Sequence, residues 1–110
     1  MSFVTDDAAS DALNWLVGNA KALGKAKEQA VLAESMTKRI RAIEMARSEA
    51  KTVAEKERDA LASDAYLRAI QEEAEAAGAY ETLRALKDAA IARVEAWRSL
   101  QATQRSIRAA

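Results

Sequence analysis

Apolar residues in the last third of the chain fall at Tyr80, Leu83, Leu86, Ala90, Val94, Trp97, Leu100 and Ile107, in steps of three or four over most of the run. That spacing lines one stripe of an α-helix. A helix over residues 79–107 spans on the order of 40 Å at 1.5 Å per residue, too long for so short a chain to enclose in a globular core. It calls for a long partner, and Leu32, Met36, Ile40 and Ile43 supply a matching stripe upstream. The pattern therefore predicts an all-α fold: two long helices that return on each other as a hairpin and assemble into a coiled-coil-like oligomer.

The element boundaries follow from local signals. Residues 1–7 are expected to fray, and Thr5 or Asp6 can cap the first helix, with early acids complementing its dipole. Leu13, Trp15, Leu16 and Val17 point in several directions, more than one stripe can bury, so Trp15 is a candidate for either the core or an oligomer contact. Gly18 and Gly24 each lower helix propensity by about 1 kcal/mol relative to Ala, which allows a bend there. The first helix is expected over residues 8–61. Ser63 or Asp64 then caps a return arm over residues 64–108. Gly78 either ends a short middle helix at a left-handed C′ position or is carried through. The chain reads as one helical domain.

Composition sharpens this picture. The 110 residues include 28 Ala, three Gly and no Pro, which favours helix throughout and allows close approach along alanine seams. A chain of this length supports one modest core. With no Cys and no His, thiol chemistry, imidazole bases and most zinc sites are removed. The acids sit at solvating spacings on helix faces, so no catalytic residues, metal site or cofactor are expected. Glu72, Glu73 and Glu75 diverge around a helix and read as a solvated face. The acidic start is not a secretory signal and no apolar run is long enough to span a bilayer, which makes a cytoplasmic protein the expectation.

Net charge is zero but unevenly spread: −3 over residues 1–20, +4 over 21–58, −4 over 59–90 and +3 over 91–110. Such blocks can face each other within a hairpin or between subunits, the reading that charge alone favours. The basic blocks can also form a phosphate-binding surface. Lys38 and Arg41 lie three apart and share a face, Arg39 stands beside them, and Arg98, Arg105 and Arg108 mark the C-terminal block.

The series Lys38-Arg39-Ile40-Arg41-Ala42-Ile43, then Glu57-Arg58-Asp59-Ala60, Asp64-x-Tyr66, Tyr80-Glu81-Thr82-Leu83-Arg84-Ala85 and Val94-Glu95-Ala96-Trp97-Arg98 resembles small phage proteins encoded beside recombination genes. That group in turn resembles, more distantly, the UvsY-like recombination mediators. The resemblance covers about two thirds of the chain, Leu32 to Arg105. It implies a helical hairpin that assembles into a ring and binds single-stranded DNA. Its implied role is to help a recombinase displace a single-strand-binding protein in a phage-infected or prophage-bearing bacterium. Lys38 and Arg41 take the position of the family's DNA-binding basic pair. The stripe of Tyr80, Leu83, Leu86, Val94, Trp97, Leu100 and Ile107 takes that of its assembly helix. The chain is shorter and less basic than this role would suggest. A competing expectation is a protein-binding module acting through the acidic block from Asp59 to Asp88, either a phage inhibitor of a host protein or a structural coiled-coil adaptor.

Overall fold

Thr5 opens the first helix by accepting the Ala8 N–H on its hydroxyl at 3.0 Å, which satisfies one of the donors that a helix start leaves bare. The computed structural model describes residues 5–109. They form α1 (Asp6–Arg47), α2 (Val53–Leu61) and α3 (Asp64–Ala109), with no strand among the described residues. The fold is an all-α helical hairpin with a short middle helix. α1 is continuous through Gly18 and Gly24, and α3 through Gly78.

The expected single helix over residues 8–61 is corrected by a break at residues 48–52. The Ser48 hydroxyl accepts the Ala50 N–H at 3.2 Å and donates to Asp59 Oδ2 at 2.5 Å, while Thr52 accepts the Glu55 N–H at 3.2 Å as the N-cap of α2. Side chains that offer backbone groups local partners compete with a continuing helix. Ser63 then starts α3: its hydroxyl donates to the Ala60 carbonyl at 2.7 Å and accepts the Tyr66 N–H at 3.1 Å.

The chain divides into two compact units, Met1–Leu23 with Thr82–Ala110, and Gly24–Glu81. In the first, Ala12, Ala90 and Val94 form the buried cluster, with Trp15 and Leu16 packed against it. Trp97 Nε1 donates to Asp6 Oδ1 at 2.7 Å. In the second, Ala26, Ala60, Ala69 and Thr37 are buried. The Thr37 hydroxyl reaches the Ala69 carbonyl of α3 at 3.3 Å, and Lys27 Nζ lies 5.0 Å from the centre of the Tyr80 ring. In each unit the contacts run to lower positions of α3 as α1 advances, so the helices pair antiparallel.

Most covered positions of each helix belong to one series, beside which Trp15, Arg41, Ile43, Met45 and Leu100 are also half-buried. In α1 the series runs Ala9, Ala12, Leu16, Asn19, Leu23, Ala26, Ala30, Ala33, Thr37, Ile40 and Glu44; in α3, Tyr66, Ala69, Glu73, Ala76, Tyr80, Leu83, Lys87, Ala90, Val94, Trp97 and Gln101. Steps of three and four alternate, the seven-residue repeat of a coiled-coil seam. The seam differs from the expected pairing of Leu32, Met36, Ile40 and Ile43 with the C-terminal stripe: Ile40 lies in it and Ile43 is half-buried, but Leu32 is 59% and Met36 41% exposed, and this part of α1 lies against residues near Ala69. Alanine explains the shift. Small side chains allow close backbone approach, and Leu32 and Met36 lie on the flank of the alanine seam. A buried alanine methyl contributes only about 0.8 kcal/mol, so apolar flank surface is left uncovered.

Candidate nucleic-acid interface

The basic block of α1 separates into two kinds of cation. Arg41 points to α2, where its Nη2 pairs with Glu57 Oε1; its Nε is buried without a hydrogen-bond partner. Both side chains are a little over 40% exposed, and the pair ties α2 to α1. Lys38 and Arg39 face solvent. Lys38 sits 3.9 Å from Glu34 one turn earlier, with the two side chains 80% and 65% exposed, a surface pair of little energetic consequence. The Arg39 side chain has no ion pair or hydrogen bond among the described residues.

The C-terminal block lies in the other unit. Arg98, Arg105 and Arg108 are exposed on the last turns of α3. Residues 96–109 contain these three cations and no acid. Cations near a helix C-terminus also complement its dipole, by about 0.3–1 kcal/mol each, but that effect fades beyond the last turn and does not account for Arg98. Arg98 and Arg105 share a shallow groove with Trp97, Gln101 and Ala102. Residues 97, 101 and 105 are four apart and 98 and 105 seven apart, so a single face carries two guanidinium groups, an amide and an indole. From sequence, no aromatic stood out for base stacking; the structure places Trp97 half-buried beside these cations, its indole N–H donated to Asp6 Oδ1.

The C-terminal stripe divides by position. Tyr80, Leu83, Val94, Trp97 and Leu100 are half-buried or buried within their own chain, whereas Leu86 is 48% and Ile107 70% exposed. The acidic block is also dispersed. Asp59 accepts the Ser48 hydroxyl, Glu73 lies in the covered series, and Glu72 and Glu75 flank a groove on the Gly24–Glu81 unit. No group of acids that could hold a metal ion occurs among the described residues, and no helix there is long and apolar enough to cross a membrane. No family model, curated protein or solved structure matches the chain.

Proposed function

We propose that this chain is a homo-oligomeric accessory protein of phage DNA recombination that binds single-stranded DNA without sequence preference and assists a recombinase or an annealing protein in the bacterial cytoplasm. The observation that supports the reading is the groove that Arg98 and Arg105 share with Trp97 on a stretch of α3 whose own sequence has no acid; the one carboxylate shown there, Asp6 of α1, accepts the indole N–H. Guanidinium groups contact phosphates, and an indole beside them offers a face on which any base can stack. Lys38 and Arg39 are a separate pair of exposed cations on α1, in the Gly24–Glu81 unit. Each protomer offers few contacts, so repetition in an oligomer raises the effective concentration along one strand.

Fluorescence anisotropy of a labelled single-stranded oligonucleotide tests this. Binding is expected at low salt, and a slope of about −0.7 in log K against log salt per phosphate neutralised gives up to about −3.5 for five exposed cations. Combining Arg98→Glu and Arg105→Glu should abolish binding at unchanged helicity. Absence of binding to the wild type at low salt would overturn the reading and favour a protein partner.

A further inference from the structure

An apolar groove runs along the Gly24–Glu81 unit between α1 and α3, with a volume of about 570 Å³. Its floor is alanine, including Ala69 and Ala76, and its α1 wall is Leu32, Met36 and Ile40. Leu32 and Met36 remain 59% and 41% exposed, which is unusual for side chains of that size beside a small-residue floor. The α3 rim carries Arg68, Glu72 and Glu75.

We infer that this groove is the contact face of a two-fold dimer of the chain, in which two hairpins meet groove to groove as an antiparallel four-helix bundle. The inference deepens the homo-oligomer element of the proposed function by assigning a surface to it. Charge on the rim selects the second copy. In a two-fold pairing with α3 against the partner's α3, Arg68 meets the partner's Glu72, and Glu72 meets the partner's Arg68, so one cation and one acid four residues apart make two ion pairs. The bond from Thr37 to the Ala69 carbonyl sets position 37 level with 69. The midpoint of Arg68 and Glu72 is therefore level with Met36, which faces the partner's Met36, while Leu32 faces the partner's Ile40. Large side chains on α1 thus fill the space over the alanines. The other two-fold arrangement, with α1 against the partner's α3, would bring Lys38 level with Arg68 and is disfavoured by like charge. Twelve residues line the groove, fewer than the roughly 20–30 per side of a standard interface, so the association is expected to be reversible and concentration-dependent.

The test uses the whole chain and no DNA, so its failure is distinct from failure of the DNA-binding reading. Sedimentation equilibrium should show self-association from the 11.9 kDa monomer. Arg68→Glu and Glu72→Arg should each weaken it by about tenfold or more, as expected where like charges replace opposite ones, and the double swap should restore it. The chain has no Cys, so Met36→Cys should form a disulfide-linked dimer under mild oxidation, while Val31→Cys should not. Circular dichroism confirms that each variant is folded. A monomer at all concentrations, a double swap that fails to restore association, or crosslinking through Val31→Cys in preference to Met36→Cys would overturn the inference. A larger assembly that crosslinks through Met36→Cys supports the same pairing within it.

Discussion

Arg41 of α1 and Glu57 of α2 form an ion pair that holds the middle helix against the hairpin, with the arginine Nε buried beneath it. Removing the arginine leaves Glu57 without its cation and strips away a packed aliphatic stem. Because both side chains are over 40% exposed, solvent screening limits the loss to about 1 kcal/mol. Arg41→Ala should therefore lower the urea midpoint, whereas Lys38→Ala and Arg39→Ala should stay within about 0.5 kcal/mol of wild type. DNA affinity should divide the other way, falling for Lys38 and Arg39. A stable Arg41→Ala protein with the weakest DNA binding of the three would reverse this assignment.

Thr37 gives a second measurable contact. Its hydroxyl proton is shared between the Ala33 carbonyl at 3.0 Å and the Ala69 carbonyl at 3.3 Å, at a position only 8% exposed. Thr37→Val keeps the volume and loses the bond, at an expected cost of about 1 kcal/mol. The urea m-value should not change, since the surface exposed on unfolding is the same. A neutral Thr37→Val would mean that the hydroxyl serves only its own helix.

The contrast between these two residues shows what the sequence makes legible. The absence of Pro and the abundance of Ala forecast helix throughout, and three- and four-residue spacing forecast two long arms. The seam was harder to read, because alanine is equally at home on a surface and in a close contact; the larger Leu32 and Met36 drew attention to a flank. Thr37 and Lys87 occupy covered positions that polarity argues against. Arg41 was readable as a cation but not as a partner of Glu57, since that pairing depends on the chain turning at residues 48–52. The turn itself had a signal in Thr52-Val53-Ala54-Glu55, a helix-start pattern embedded in a charged run that otherwise reads as unbroken helix.

That helix start should be energetically coupled to the ion pair. Thr52→Ala removes the acceptor for the Glu55 N–H and should cost about 1 kcal/mol, with Thr52→Ser close to neutral. Since α2 carries Glu57, loosening its first turn should also weaken the hold on Arg41. In a double-mutant cycle, Thr52→Ala with Arg41→Ala should cost less than the two single losses together, by about 0.5 kcal/mol or more. Strict additivity would show that α2 docks independently of its cap.

The three glycines give the last prediction. Gly18, Gly24 and Gly78 all lie inside helices, none has a positive φ, and a Cβ built at each meets no atom within 4 Å. Nothing shown among the described residues requires glycine at these positions, so each Gly→Ala change should stabilise by about 0.4–1 kcal/mol through lower unfolded-state entropy and better helix propensity. The sites are far apart in sequence, and the gains should add, raising Tm by roughly 4–8 °C per kcal/mol for a chain of this size. Thermal melts of the three single variants and the triple variant test this, run at low and high protein concentration. The sign at each position carries further information: a glycine whose replacement destabilises only at high concentration is one where a second chain approaches the backbone. Such a result at Gly18, outside the Gly24–Glu81 unit, would place an additional interchain contact beyond the groove of Leu32 and Met36.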